Sequence, residues 1–281
     1  MITAACARPA GGVAPLRFAR MIDLHCHLLP GLDDGPKTIE ESMALARAAV
    51  AAGTTTIVAT PHVSEQYPND SDSIATALAT VRERLEAEGI PLQVKAGAEI
   101  AMTVAVELDP DELRRLRIGD GPWLLIETPY SPAVDAFPLL INRIREAGHQ
   151  VILAHPERCH GLRRAPEVLY LLRDRGVLSS VTAGSLTGRF GRHVQRFAVA
   201  MADEGLIHNV ASDAHDCKRR PPDLGPLIEL AGLTEHRALL CETSPQAIID
   251  GTELPPFPLA LLGKTAPRGA RGLWQRLRPE A

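Results

Sequence analysis

The sequence predicts an α/β fold, a (β/α) barrel of about seven strands, and three observations carry that reading. Strand-like and helix-like segments alternate about seven times, the signature of a parallel sheet. The strand segments are near-continuous apolar runs, as expected where both faces are covered. His25, His62, Glu99, Glu127, His155 and Asp213 each stand at the C-terminal end of a different predicted strand. An open doubly wound sheet fits the first two observations equally well. It would spread those six residues along an edge, whereas a barrel converges them on one mouth, where active sites sit.

The elements follow in order. Met21-Ile22-Asp23-Leu24 is an apolar strand running into His25-Cys26-His27. Thr38-Ile39-Glu40-Glu41 is a capping box, and Ile39, Met43, Ala46 and Val50 continue it at helical spacing to Gly53. Thr54 to Thr60 is rich in β-branched residues and reads as a strand stopping at Pro61-His62. A polar loop, Ser64 to Asp72, leads to a helix through about Glu88. Ile90 to Ala98 is a strand ending at Glu99, and Trp123 to Ile126 one ending at Glu127. A helix over Ala133 to Ala147 precedes the strand Gln150 to Ala154, which ends at His155. A helix over Ala165 to Arg175, a strand over Val177 to Thr182 and a helix over about Arg192 to Glu204 come next. Leu206 to Ala211 is a strand ending at Ser212-Asp213, and helical pieces continue to about Ile249.

The 281 residues, 45% apolar and 23% charged, suit one large soluble domain. That domain is expected over 21–254. The acid-free stretch 1–20, broken by Pro9, Gly11, Gly12 and Pro15, is expected to be a disordered extension, with Met21 as the natural start. From Pro255 the chain becomes Pro-rich and basic, with Lys264, Arg268, Arg271, Arg276 and Arg278, so 255–281 is expected to be a solvated tail. The net charge of −4 argues against a general nucleic-acid surface. No apolar stretch reaches the roughly 20 residues of a membrane span. Five scattered cysteines without a C-x-x-C pair are expected to be reduced, which places the protein in the cytoplasm.

His25 and His27 share one face of a strand, about 6–7 Å apart, so both can reach one metal ion. The Asp33-Asp34-Gly35 loop brings hard oxygen donors back to the same rim. The candidate ligands are His25, His27, Asp34, His62, Glu99, Glu127, His155, Asp213 and His215. Acids and imidazoles are poor choices at the ends of buried strands unless paired or ligating. A His and carboxylate set without thiolate suits Mn, Zn or Fe. Nine ligands exceed one ion's need, so two or three ions are implied, with Glu99 as the bridge. Ions about 3.5–4 Å apart activate a bridging water and clamp a phosphate. His149, His160, His193, His208 and His236 are expected to be structural or solvated.

Six ordered segments then carry a family resemblance: Met21 to Pro36, Ala-Thr-Pro-His at 59–62, Gly-Ala-Glu-Ile at 97–100, Ala-His-Pro-Glu-Arg at 154–158, Ala-Gly-Ser-Leu at 183–186 with Gly188, Phe190 and Gly191, and Ser-Asp-Ala-His at 212–215 followed by Arg220-Pro221-Pro222. This pattern resembles the PHP (polymerase and histidinol phosphatase) superfamily, within it the bacterial metal-dependent tyrosine-protein phosphatases of capsule and exopolysaccharide synthesis. The resemblance runs from Met21 to about Ile249 and implies a distorted, TIM-like (β/α)7 barrel with a trinuclear, usually manganese, centre. It implies His25, His27, Glu99 and Asp213 at the first metal, Glu99, Glu127 and His155 at the second, and Asp34, His62 and His215 at the third. Arg158 and Arg220 match the family's phosphate-holding, catalytic arginines, and a guanidinium does grip phosphate through two parallel hydrogen bonds. Cys26, Val63 and Thr182 depart from the family pattern, which commonly has Ser, a second His or basic residue, and Asn there. None of the three removes a ligand.

The implied reaction is attack of a metal-bridged hydroxide on phosphotyrosine, with the tail of a bacterial polysaccharide-export tyrosine kinase as the implied partner. A homo-oligomer is left open. A cysteine-dependent phosphatase needs Arg six positions after its Cys, but Gly12, Leu32, Ala165, Asp223 and Ala247 stand there. Two other readings are weighed: a PHP phosphoesterase for histidinol phosphate or nucleotides, and a non-catalytic kinase-binding regulator.

Overall fold

The computed structural model describes residues 20–129 and 133–262. The expected extension, apart from Arg20, and the tail beyond Leu262 lie outside the described residues. Among the described residues nine strands are present: β1 (Met21–Cys26), β2 (Thr54–Ala59), β3 (His62–Val63), β4 (Gln93–Ala96), β5 (Glu99–Ala101), β6 (Trp123–Glu127), β7 (Gln150–Ala154), β8 (Leu178–Thr182) and β9 (Asn209–Ala211). They form two parallel sheets, ordered β1-β2-β4 and β3-β5-β6-β7-β8-β9, with helices in the crossovers. The fold is thus a single-domain α/β fold with parallel sheets.

The sequence predicts strands ending at Thr60 and Ala98, and β3 and β5, which restart just beyond them, are additional. Pro61 separates β2 from β3, because proline has no N–H for the ladder. Gly97-Ala98 separates β4 from β5, and a Cβ on Gly97 would lie 2.7 Å from Val58 Cγ1. Strand β1 reaches the segment after β9 through an isolated Cys26–Ala214 bridge, with His27 N donating to Ala214 O and Asp213 N to His25 O, both at 2.9 Å.

Helix boundaries moved where proline sets them. The helix expected from Ala133 spans Phe137–Glu146, with Pro138 in its first turn, where a missing N–H costs nothing. The one expected from Ala165 spans Glu167–Asp174 behind Pro166. Thr38 caps Ile39–Ala51 by accepting from Glu41 N. The reciprocal bond goes one residue earlier, from Lys37 N to Glu41 Oε2 at 2.7 Å. Two short helices, Met102–Ala105 and Pro110–Arg115, lie in a stretch the sequence reading passed over.

Inward side chains from five strands pack into one apolar floor: Ile22 and Leu24, Val58, Trp123 and Leu125, Ile152 and Ala154, and Leu178. Ile248 and Ile249, from the helix Ser244–Asp250, pack into the same cluster. A larger cluster fills the space between strands and surrounding helices. Residues 255–262 lie against the domain: Leu261 and Leu262 are buried, and Leu261 N donates to Ala202 O. Among the described residues no helix is long and apolar enough to cross a membrane.

Candidate metal centre

The structure brings all nine sequence-predicted ligands into one cluster at the C-terminal ends of the strands. Groups of ligand atoms within 4.8 Å of one another are formed by His25, Glu99 and His155; by His25, His27 and Asp213; by His62, Glu99 and Glu127; and by His27, Asp34, His62 and His215. Glu99 is central. Its Oε1 lies 2.7 Å from His155 Nε2, while its Oε2 lies 3.1 Å from His25 Nε2, 3.2 Å from His27 Nε2 and 3.3 Å from His62 Nδ1. Asp34 Oδ1 lies 3.2 Å from His215 Nε2 and 3.6 Å from His62 Nε2.

Local backbone explains how these side chains arrive. His155 (φ 31°) and Asp213 (φ 52°) are the non-glycine residues with positive φ among the described residues. Asp and His enter the left-handed region more readily than most residues, but it still costs a non-glycine backbone, so the surrounding structure must enforce both conformations. His155 directly follows β7 and Asp213 stands two residues past the end of β9, and each turns a polar side chain back over the mouth. Pro61 does the same for His62, ending β2 so that the chain restarts beside Glu99.

The donor atoms fit cations. His25 Nε2 and His27 Nε2 face each other at 3.2 Å, and Asp213 Oδ1 makes no hydrogen bond although three imidazole nitrogens stand 3.5–3.7 Å away. Ligands about 2.0–2.2 Å from a shared ion lie roughly 3.0–3.5 Å from one another, close to these separations. Burial alone would raise the Glu99 carboxyl, but His25 and His155 hold it well below its usual range. Burial opposes ionisation of Asp213 too, yet His25, His27, Arg158 and Arg220 keep it ionised. Burial disfavours charge on His27, but its bonds to Asp213, Asp33 and Glu99 raise it well above an ordinary imidazole. Burial, reinforced by Arg158, pushes His155 down to about 4. The site therefore holds ionised carboxylates and at least one neutral imidazole, which is the ligating state of both.

Arg158 and Arg220 both pair with Asp213 Oδ2, and Arg220 Nη1 donates to His215 Nε2 at 2.8 Å. Together with Asp34, His62, Glu99, Glu127, His155, Ser64, Gln66 and Tyr67 they line a cleft of ≈ 250 Å³.

Sequence reasoning missed the residues that hold the ligands. Asp33 is buried, and its Oδ2 accepts from His27 Nδ1 at 2.6 Å and from His62 N at 3.0 Å, while Oδ1 accepts from Gly35 N. It thereby keeps the His27 proton on Nδ1 and frees Nε2 for the cluster. Glu157 is also fully buried, with burial raising its carboxyl, and accepts from Thr182 N and Ser185 Oγ. It ties the turn carrying Arg158 to the end of β8. The Asp33-Asp34 doublet put Asp33 in view as a rim donor but not as a support, and Glu157 was visible only as part of the Ala-His-Pro-Glu-Arg segment.

Residues 21–235 match the family model described as capsular polysaccharide synthesis, CpsB/CapC. The chain belongs to the CpsB/CapC family. It is 39% identical over 201 residues to the tyrosine-protein phosphatase YwqE of Bacillus subtilis, covering 71% of this chain and 79% of that protein. It is 30% identical over 210 residues to the tyrosine-protein phosphatase CpsB of Streptococcus pneumoniae, covering 72% of this chain and 86% of that one. A crystal structure from work on YwqE and CpsB, called unique metal-dependent tyrosine phosphatases, superposes with a TM-score of 0.76 at 34% identity. It covers 87% of this chain and all of that one.

Proposed function

We propose that this CpsB/CapC protein is a metal-dependent protein-tyrosine phosphatase acting in capsule or exopolysaccharide synthesis. The observation that carries the reading is convergence: nine His, Asp and Glu side chains and two arginines meet at one cleft. The names of its relatives point the same way. His25, His27, Glu99 and Asp213 would hold one divalent ion, Glu99, Glu127 and His155 a second, and Asp34, His62 and His215 a third. Manganese is the proposed metal, with zinc or iron as alternatives the same donors would accept. Such ions supply a water of lowered pKa and neutralise phosphate charge.

The chain's own groups do the rest. Arg158 and Arg220 bind the phosphate oxygens and stabilise charge as the ester bond breaks. Each now donates to Asp213, so substrate binding exchanges part of that pairing for phosphate. Glu157 keeps Arg158 in place through the bonds to Thr182 and Ser185. The tyrosine phenolate leaves with a pKa of about 10, so it needs less proton donation than an alkoxide. The proposed substrate is the phosphotyrosine tail of a polysaccharide-synthesis kinase, and the proposed compartment is the cytoplasm, supported by free cysteines. The two sheets are read as halves of a distorted (β/α)7 barrel over 21–254, a reading the Cys26–Ala214 bridge supports.

The test is metal analysis of the purified protein together with turnover of phosphotyrosine peptide, before and after chelation and after manganese readdition. Chelation should abolish turnover and manganese should restore it. Activity that survives exhaustive chelation overturns the proposal, and preference for histidinol phosphate over the peptide overturns the substrate.

A further inference from the structure

Three side chains of the cleft, Ser64, Gln66 and Tyr67, come from the polar loop after His62 and have no part in the centre described above. Tyr67 stands apart from the other lining residues. They are acids, histidines, arginines, a serine and a glutamine, so among the described residues that line the cleft Tyr67 supplies the carbocyclic ring. It is half-buried and lies nearly parallel to the His62 ring, with 5.6 Å between centroids and 12° between planes.

The loop is built to hold the backbone that carries that ring. Ser64 N donates to Tyr67 O at 2.9 Å, Tyr67 N donates to Ser64 Oγ at 3.1 Å, and Asn69 N donates to Tyr67 O at 2.8 Å. Asn69 Nδ2 then donates to both His62 O (2.8 Å) and Leu32 O (2.9 Å), fastening the loop to the two segments that carry His62 and Asp34. An aromatic side chain on a backbone fixed in this way has only its own rotamer freedom to lose when a second ring meets it.

We infer that Tyr67 is the specificity-determining wall of the site, recognising the aromatic ring of the phosphoester while Arg158 and Arg220 hold its phosphate. This rests on the phosphatase reading above. The phosphate needs the arginines at the polar end of the cleft. The ring one ester bond away then needs an apolar partner on the same cleft, and Tyr67 supplies one. Ring contact is unchanged as the ester bond breaks, so it contributes equally to ground and transition states and acts on KM more than on kcat. A Tyr67 that merely packed against His62 would behave otherwise: its loss would loosen a proposed ligand and lower metal content and kcat for every substrate.

Two small phosphonates separate these cases. Phenylphosphonate and methylphosphonate both present the phosphate-like head, and only the first carries a ring. Inhibition constants for both, KM for a phosphotyrosine peptide and bound metal per chain are measured on the manganese-loaded wild type, Tyr67→Ala and Tyr67→Phe. Tyr67→Ala should weaken phenylphosphonate and raise peptide KM by about three- to tenfold, the range of an aromatic pair contact. Methylphosphonate inhibition and metal content should hold, and Tyr67→Phe should match the wild type. Equal weakening of both phosphonates, reduced metal content, or an unchanged phenylphosphonate constant overturns the inference. If the wild type itself fails to turn over the peptide, the phosphatase reading falls first. If the wild type works and only the selectivity stays flat, Tyr67 alone is refuted.

Discussion

At the floor of the strand bundle stand Leu24, Leu125, Ile152 and Ala154, all fully buried. One or two residues further along the same strands stand His25, Glu127 and His155. His25, Glu99, His155 and Asp213 are buried almost as completely as the leucines below them, yet they are ionisable. The floor repays its burial at roughly 1.5–3 kcal/mol per large side chain. The mouth gains nothing comparable, because removing charged groups from water costs several kcal/mol each unless paired. Its pairing is incomplete without cations, as Asp213 Oδ1 shows. The lower layer therefore stabilises a fold on which the upper layer can be held strained and under-satisfied.

The largest effect that can break this comparison is loss of a mouth residue without loss of the fold. His25→Ala should lower phosphotyrosine turnover by about a thousandfold or more, the equivalent of several kcal/mol of metal-derived stabilisation. Its circular dichroism spectrum should match the wild type. Unchanged turnover would remove His25 from the centre, and an unfolded variant would show that the mouth carries stability after all.

The reciprocal change comes second. Ile248→Ala empties part of the floor, where Ile248 is fully buried. It should destabilise the protein by about 2–5 kcal/mol in urea unfolding while kcat of the folded fraction holds. A matching fall in kcat would mean that the two layers are not separable.

A smaller effect tests how the layers are joined. Asp33 orients His27 from behind, so Asp33→Asn should weaken metal affinity by about 10- to 100-fold, read by titration with manganese. Wild-type affinity in that variant would reduce Asp33 to a loop brace.

The two layers were unequally legible in the sequence. Strand periodicity and the abrupt change from apolar to ionisable residues marked the mouth, so all nine predicted ligands fall in one cluster. Asp33 was invisible as a support because a loop, not a periodic element, decides which of two adjacent acids faces an imidazole. Tyr67 sat in a stretch whose composition said only that it was a loop. The helices Met102–Ala105 and Pro110–Arg115 are too short to show an amphipathic period. The break into two sheets follows from Pro61 and Gly97, whose positions were readable but whose effect depends on the neighbouring strand.

The smallest effect concerns two buried histidines held in opposite states. At the mouth, acidic neighbours raise His27 well above an ordinary imidazole despite burial. At the start of β9, His208 has no such neighbours: burial, with Arg173 adding to it, lowers its pKa from 6.5 to about 4. Its Nδ1 accepts from Ser179 N at 3.0 Å, and its ring meets Phe257 edge-on at 4.8 Å. The folded chain thus favours neutral His208, and the unfolded chain takes up a proton more readily. This contribution is complete above pH 6.5 and is lost progressively as pH falls toward 4, amounting to roughly 2 kcal/mol between pH 7 and pH 5. His208→Gln should therefore lose less stability than the wild type over that interval, measured as urea midpoints at both pH values with metal absent. If both proteins lose the same amount, His208 is not held neutral, and the contrast between a charge-holding mouth and a charge-excluding floor fails at this residue.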